Sequence, residues 1–352
     1  MEFENMKNRL TSVQLSACAV LAVGFGFACS GGQTPPAQAP EAPTPPPAAA
    51  PAQPPADKAV PGPIVIKDIG LQTPESIQYE PTSDVYLVSN INGNPLDKDD
   101  NGFISKLSPE GKVLELKWID GASKDVELNA PKGIGFSAGK LFVADIDVIR
   151  TFDLATGKPL AQIKVPNASF LNDVTVAPDG TVYVSDTGLK AGKEGLEPAK
   201  KDAIYKVSSD GKLSTLIKGE QLSQPNGLFA DATGLWVATW QGKLYHVTAD
   251  GKQEAAISAP GTQLDGLLRT ADGQTIVSSW EKSMVYLGTA DGQFSPLMAD
   301  LKSPADIGYD TQRNQVLVPL FMDNAIQIQK VPQLTAAATP TTPPANATAE
   351  AK

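Results

Sequence analysis

Six short stretches of the sequence share one position that could bind a ligand. The stretches begin at residues 74, 131, 171, 225, 264 and 304, and the position that follows each start carries Glu75, Lys132, Asn172, Asn226, Asp265 and Ala305. Four of these side chains end in carboxylate or amide oxygens, which suit calcium, magnesium or manganese. If they converge, they predict a divalent cation site. Taken singly, each could equally cap a turn or bind water in a channel.

The elements that carry these positions are predicted to be the inner strands of a β-propeller. A repeat of roughly 40–50 residues with several short strands is the period of a propeller blade. Turn signals such as Pro178-Asp179-Gly180 separate the strands. The first strand of each blade lines the central channel, so the six positions should face one axis. The predicted fold class is all-β, a six-bladed propeller of four-stranded antiparallel blades.

The last repeat shows only three strands after its start. The stretch 63–69 precedes the first repeat and is strand-like. It is predicted to supply the missing outer strand, so that an N-terminal strand closes the ring and removes an open sheet edge.

Composition excludes several classes of function. The 352-residue chain has a net charge of −10 and no basic stretch, which argues against nucleic acid as a partner. Its one histidine, His246, lies in a predicted outer strand, so a Ser-His-Asp triad or a His-rich zinc site is not expected. Both cysteines precede the predicted propeller, which leaves no disulfide there. We expect a monomer that binds a small molecule at the channel mouth.

The chain is predicted to divide into four segments. Residues 1–28 read as a lipoprotein-type signal peptide, 29–62 as a Pro/Ala-rich tether, 63–332 as the propeller and 333–352 as a tail without packed structure. The sequence Gly26-Phe27-Ala28-Cys29 resembles a bacterial lipobox. It predicts lipidation of Cys29 and anchoring in the cell envelope, at the outer membrane facing the periplasm. Ordinary cleavage that leaves a free Cys29 is the alternative.

The ordered motifs resemble the senescence marker protein/gluconolactonase family, the regucalcin-like six-bladed propellers. They are Glu75, Asn172-Asp173, Pro225-Asn226-Gly227 and Asp265-Gly266, and the resemblance spans about residues 63–331. It implies that Glu75, Asn226 and Asp265 hold a divalent cation, calcium first, with magnesium, manganese or zinc as alternatives. It also implies that Asn172 contacts substrate or a metal-bound water, and that Asp265 is the general base in hydrolysis of a lactone.

Two residues at the predicted channel depart from the pattern of that family. Phe170 stands where sugar-lactone members carry an Arg that contacts substrate hydroxyls, which makes gluconolactone itself a doubtful substrate. Lys132 occupies the channel position of blade two. It could hold an anionic substrate or stabilise an oxyanion during catalysis, or it could only balance the charges of Glu75 and Asp265.

Side chains after the second strands of the repeats are further candidates. Trp240 and Trp280 could form an apolar wall for substrate or pack between blades. Asp145 and Asp186 could support the rim of the site or simply cap turns.

The segment that follows the second strand of blade one resembles half of a calcium-binding loop. Asp97, Asp99 and Asn101, followed by glycine, match the first half of that motif. The position of the expected glutamate is Ser108, so a solvated acidic loop is the alternative. The length of the segment also makes it a candidate lid over the channel. A second insertion, residues 189–201, could rim the same face.

Two functions remain open from the sequence. One is an envelope-anchored, metal-dependent hydrolase of lactones or other esters. The other is a non-catalytic propeller that binds a ligand or protein and holds a structural cation. A propeller fold alone does not decide between them.

Overall fold

The computed structural model describes residues 62–331, except residues 194, 271–272 and 290–291. The predicted signal peptide, Cys29, nearly all of the predicted tether and the predicted tail lie outside these residues. Within the described part of the chain, no helix combines the length and the hydropathy needed to cross a membrane.

The described residues form six four-stranded antiparallel sheets, which are the six predicted blades. The chain begins with β1 (Ile64–Ile66). The strands of blades one and two are β2 (Pro74–Glu80), β3 (Val85–Asn90), β4 (Phe103–Leu107) and β5 (Val113–Asp120), then β6 (Pro131–Ser137), β7 (Lys140–Asp145), β8 (Val148–Asp153) and β9 (Pro159–Lys164). Blade three contains β10 (Leu171–Val176), β11 (Val182–Asp186), β14 (Ala203–Val207) and β15 (Leu213–Lys218), and the predicted insertion forms a hairpin of β12 (Leu189–Gly192) and β13 (Gly195–Pro198).

The remaining blades follow the same order from channel to rim. Blade four contains β16 (Pro225–Ala230), β17 (Gly234–Thr239), β18 (Lys243–Thr248) and β19 (Ile257–Ser258). Blade five contains β20 (Leu264–Arg269), β21 (Thr275–Ser279), β22 (Met284–Gly288) and β23 (Phe294–Met298). Blade six contains β24 (Gly308–Asp310), β25 (Gln315–Leu320) and β26 (Ala325–Lys330) together with β1. Two short 3₁₀ helices, Glu220–Leu222 and Phe321–Asp323, lie between strands.

Blade six contacts both the start of the chain and blade one, from its outer edge to the channel. β1 pairs antiparallel with β26 as the outermost strand of the sixth sheet. Beside the channel, the amide N–H of Asp306 donates to the carbonyl oxygen of Glu75 at 2.8 Å. Farther out, Arg313 forms an ion pair with Asp84 at 2.7 Å. The first recurring position, Glu75, is therefore fixed by the last blade of the chain.

The hydrophobic core lies between neighbouring blades. Leu87 and Ile104 of blade one, for example, share a cluster with Leu141 and Val143 of blade two. All six residues of β3 are buried, whereas β9 is exposed along most of its length. A second strand is covered on both faces because its blade is packed between two others, which explains why these runs are almost continuously apolar. Full burial of each such Leu or Ile stabilises the fold by about 1.5–3 kcal/mol.

Glycines after the recurring positions let neighbouring inner strands approach each other closely. A β-carbon at Gly227 would lie 1.9 Å from the carbonyl oxygen of Asp265, and one at Gly133 would lie 2.5 Å from the α-carbon of Asp173. Neither position can hold a larger residue without moving a neighbouring strand. The glycines of the Lys-Gly, Asn-Gly and Asp-Gly motifs are therefore needed for blade packing, which brings the preceding side chains near one axis.

Candidate metal centre

The inner strands of blades one to five are irregular at the recurring position. The pairing of inner and second strands shifts register there, for example between Pro74 and Ser76, between Pro225 and Leu228, and between Leu264 and Leu267. A bulge of this kind locally interrupts the ladder and redirects side chains.

Serines of the second strands replace the lost ladder contacts in three blades. The hydroxyls of Ser89, Ser185 and Ser278 accept hydrogen bonds of 2.8–2.9 Å from the backbone N–H groups of residues 76, 173 and 266. Ser185 also donates to the carbonyl oxygen of Asn226, and Ser278 to that of Ala305. Ser185 and Ser278 therefore join the bulge of their own blade to the next blade. Sequence reasoning missed these serines, although Ser89, Ser185 and Ser278 each stand just before the last residue of a second strand.

Three predicted ligands present buried oxygens that have no hydrogen-bond partner among the described residues. They are Glu75 Oε2, Asn226 Oδ1 and Asp265 Oδ1, on side chains that are only 5%, 1% and 3% exposed. In two of these side chains the other polar atom has a protein partner: Asn226 Nδ2 donates to Leu264 O at 3.1 Å, and Trp280 Nε1 donates to Asp265 Oδ2 at 2.8 Å. An unpartnered buried oxygen is costly unless a ligand satisfies it.

The electrostatics of these groups also fit a cation. Burial raises the pKa of Glu75 well above its ordinary value, and the nearby carboxylates of Asp265 and Asp306 raise it further. Burial raises the pKa of Asp265 to about 7. Buried carboxylates close to one another oppose ionisation, and a divalent cation among them would reverse that effect.

The candidate site is not a cluster of purely acidic or histidine ligands. Across the described residues, no group of three or more His, Cys, Asp or Glu side chains is placed to hold a metal. The predicted set contains two carboxylates and one amide, and a mixture of carboxylate and amide oxygens is typical of calcium sites. The residues therefore fit a hard divalent cation better than zinc.

A second layer of carboxylates lies one residue farther along the inner strands. Asp173 accepts hydrogen bonds of 2.6 Å from the backbone N–H groups of Val174 and Leu228. Asp306 accepts hydrogen bonds from Ser76 Oγ and Gln78 Nε2. Burial raises the pKa of both carboxyls, that of Asp173 to about 7. Because both carboxylates have protein donors, their contacts link blades three to four and six to one.

Lys132 is buried, and its ammonium group donates hydrogen bonds to backbone carbonyl oxygens. Its Nζ donates to Pro95 O at 3.0 Å and to Ala130 O at 3.1 Å, and it lies 4.6 Å from the ring centroid of Phe170. Burial lowers the pKa of Lys132 to about 8, against the opposing effects of Glu75 and Asp145. The residue is thus placed at the channel, and two of its three N–H donors are used by backbone carbonyls.

The other predicted contact residues are Asn172, Trp240 and Trp280. Asn172 Nδ2 donates to Thr187 Oγ1 at 3.0 Å, which orients the amide between blades three and four. Trp240 and Trp280 are half-buried, and their ring centroids are 5.8 Å apart. Because Trp280 also donates a hydrogen bond to Asp265, the Trp pair contacts a candidate ligand as well as packing between blades.

The acidic half-loop lies between β3 and β4, on the side of the channel mouth. Asn101 Nδ2 donates to Asp99 Oδ2 at 2.6 Å, while Asp97 is exposed. Ser108 follows β4, and the intervening extended strand separates it from Gly102 by roughly 20 Å. Ser108 therefore cannot complete a calcium loop with these residues. The tip of the segment instead reaches the channel through Pro95.

Asp145 and Asp186 support the starts of inner strands. Asp145 accepts from the backbone N–H of Ala130 at 2.9 Å and from Arg150 Nε at 2.9 Å. Asp186 accepts from the backbone N–H groups of Ser169 and Phe170, each at 3.0 Å. Each carboxylate holds the segment that leads into the inner strand of its own blade, and so positions Lys132 or Asn172 indirectly.

The profile of the family described as "SMP-30/Gluconolactonase/LRE-like region" matches residues 108–307. The chain belongs to this family. The matched residues contain Asn172, Asn226 and Asp265. They begin after Glu75 and after residues 91–102, the segment between β3 and β4. No curated protein matches the chain in sequence.

Solved structures of low sequence identity share the propeller fold of this family member. A gluconolactonase from Xanthomonas campestris has a TM-score of 0.59 and 17% identity over 76% of this chain and 89% of its own. A luciferin-regenerating enzyme has a TM-score of 0.56 and 13% identity over 77% and 96%. A virginiamycin B lyase from Staphylococcus aureus, in a catalytically inactive His-to-Ala form, has a TM-score of 0.54 and 14% identity over 77% and 100%. At these identities the likeness shows the fold alone.

The single histidine of this chain contacts none of the candidate ligands described above. His246, in β18, stacks on Trp236 with centroids 5.0 Å apart and lies 3.2 Å from Glu254.

Proposed function

We propose that this chain is a divalent-cation-dependent hydrolase of lactones or other esters. The observation that carries the proposal is the set of three buried, unpartnered oxygens of Glu75, Asn226 and Asp265. They occupy the same position in blades one, four and five. Membership of a family that includes gluconolactonases supports this reaction class.

Glu75, Asn226 and Asp265 would hold the cation, with calcium as the first candidate and magnesium, manganese or zinc as alternatives. A bound divalent cation would polarise the carbonyl group of the ester. The protein fixes two of the three side chains beforehand: Leu264 O holds the amide of Asn226, and Trp280 holds Asp265. Preset ligands reduce the ordering that cation binding requires.

Asp265 is the proposed general base. A water oxygen bonds to the carbonyl carbon while one water proton passes to the Asp265 carboxylate. The bond from that carbon to the ring or alkoxy oxygen then breaks, and this oxygen receives the proton, which yields a hydroxy acid or an acid and an alcohol. Asn172, held by Thr187, would orient the substrate or the attacking water.

Lys132 would assist catalysis only after a change in its contacts. Its bonds to Pro95 O and Ala130 O use two donors. If the segment that contains Pro95 moves away, one N–H becomes available for an anionic substrate or a developing oxyanion.

The second candidate function is a ligand- or protein-binding propeller in which the cation is structural. The near-complete burial of Glu75, Asn226 and Asp265 favours it, because a cation enclosed by protein ligands ties blades together without an open position for substrate. This candidate predicts that metal removal lowers the melting temperature, while no ester is hydrolysed.

Anchoring is a separate part of the proposal and rests on the sequence. Lipidation of Cys29 would attach the propeller to the envelope, at the outer membrane facing the periplasm, through the Pro/Ala-rich tether. The proposed protein is a monomer that meets a small molecule, contacts the membrane through its lipid alone and binds no nucleic acid. Metabolic labelling with a radioactive fatty acid tests this, because Cys29→Ser should abolish the label.

The catalytic part is tested with purified protein loaded with calcium, manganese or zinc and offered lactones and aryl esters. We expect turnover that Asp265→Asn lowers by at least about 100-fold, in line with loss of general-base catalysis. Asp306→Asn is a matched control, because this buried carboxylate has protein donors, and it should retain most of the activity. Absence of turnover with all three metals would overturn the hydrolase proposal.

A further inference from the structure

The wall of the channel mouth beside Asp265 is aromatic. Trp280, whose N–H bonds to Asp265, packs against Trp240 on one side and Phe321 on the other, with centroids 5.8 Å and 5.1 Å apart. The three rings come from blades four, five and six. An aromatic arc therefore begins at a candidate metal ligand and extends away from it.

Apolar side chains from blades one, two and six continue this arc across the mouth. Ile91, Ile146 and Phe321 are buried in one cluster, and Leu96 packs against that cluster from the segment above it. Leu96 is half-buried and follows Pro95, the residue whose carbonyl oxygen binds Lys132. The tip of the segment thus places one leucine side chain over the apolar mouth.

The described side chains of this arc, Trp240, Trp280, Phe321, Ile91 and Ile146, carry only two polar groups, the indole N–H groups, and that of Trp280 already donates to Asp265. Phe170 is buried and apolar, and its ring lies beneath Lys132. Two of the three donors of Lys132 go to protein carbonyls. A sugar lactone bound here would leave hydroxyls without partners, and each buried unpaired hydroxyl weakens binding about 5- to 150-fold.

We propose that the channel mouth receives the apolar alkyl or aryl part of a lactone or ester, and that Leu96 takes this place when no substrate is bound. The inference rests on the proposed hydrolase function and narrows its substrate class. The aromatic arc would contact the apolar part while the ester group lies beside Asp265. Displacement of Leu96 by substrate would also separate Pro95 from Lys132, which links substrate binding to the release of an N–H donor.

The test is a series of γ-lactones with alkyl side chains of zero to eight carbons, compared with glucono-δ-lactone. With the metal-loaded protein, we expect kcat/KM to rise about fourfold for each of the first few methylenes, as burial of apolar surface predicts. We also expect the longest lactone to exceed the sugar lactone by at least about 100-fold. Preference for the sugar lactone, or a rate independent of chain length, would overturn the inference.

Three variants test whether the dependence of kcat/KM on chain length arises at the channel mouth. Trp240→Ala should lower the ratio of kcat/KM for long over short lactones about tenfold, and Leu96→Ala should raise the affinity for long lactones several-fold. Leu160→Ala is the matched control, because this exposed leucine lies in the outer strand β9 and should leave the ratio unchanged. If Trp240→Ala leaves the ratio unchanged, the arc does not bind substrate and the inference is wrong.

Binding distinguishes this inference from the proposed function. Tryptophan fluorescence, measured with the same lactones, reports binding whether or not hydrolysis follows. If affinity rises with chain length but no lactone is hydrolysed, the hydrolase proposal fails and the apolar site stands. If lactones are hydrolysed with no dependence on chain length, the apolar site alone fails.

Discussion

Trp280 donates its indole N–H to one carboxylate oxygen of Asp265 at 2.8 Å, and the other oxygen of Asp265 is buried without a partner among the described residues. This bond fixes the orientation of a group that the proposal uses both as a ligand and as a base. It also joins the candidate metal centre to the aromatic arc.

Loss of this bond should weaken metal binding without removing a ligand. Trp280→Phe keeps most of the aromatic packing but leaves Asp265 free to rotate, and the loss of such a supporting bond typically lowers metal affinity about 10- to 100-fold. Isothermal titration with calcium or manganese measures the change. Trp240→Phe is the control, because the hydrogen bond to Asp265 comes from Trp280. Equal affinities for wild type and Trp280→Phe would contradict the supporting role.

The stability of the metal-free protein should depend on pH in a defined direction. Burial raises the pKa of Glu75, Asp173, Asp265 and Asp306, so the folded state retains protons that the unfolded state loses. The free energy of unfolding should therefore fall as pH rises from about 4 through about 7. The pKa of Lys132 is lowered to about 8, so its own contribution to the free energy of unfolding runs the other way and rises as pH increases above about 8.

Thermal unfolding in the presence of a chelator measures this pH profile. We expect the melting temperature to fall from about pH 4 to about pH 7, and to fall less in Asp265→Asn. Saturating divalent cation should raise the melting temperature most at the upper end of that range. At 100 times its dissociation constant it contributes about 2.7 kcal/mol. For a domain of this size that corresponds to about 5 °C or more. A metal-free protein that becomes steadily more stable from pH 4 to 7 would contradict the assigned pKa directions.

Ser185 should stabilise both the fold and the site. Its hydroxyl accepts from the N–H of Asp173 and donates to the carbonyl oxygen of Asn226. Ser185→Ala leaves a buried N–H without its partner, which costs about 1–3 kcal/mol. Denaturant unfolding should show this loss, together with weaker metal binding because Asn226 is less well fixed. Ser208→Ala, in an exposed turn, is the matched control and should unfold at nearly the wild-type denaturant concentration.

The sequence predicts the repeat and the positions that face the channel, because strand length, turn glycines and blade spacing are local properties. Once six repeats form one ring, Glu75, Asn226 and Asp265 occupy the same position in blades one, four and five. The bulges and the serines that stabilise them depend on the approach of neighbouring blades, which a single repeat does not encode. Contact between Pro95 and Lys132 likewise depends on how a long segment folds back over the channel, and no periodic pattern reports that.

The central claim is that Glu75, Asn226 and Asp265 hold one divalent cation, and crystals grown with manganese test it most directly. The account predicts an anomalous difference peak about 2.1–2.5 Å from an oxygen of each of the three side chains, and no such peak in Asp265→Asn crystals. An anomalous peak at Asp97, Asp99 and Asn101 with none in the channel, or no ordered manganese at a concentration that stabilises the protein, would contradict it.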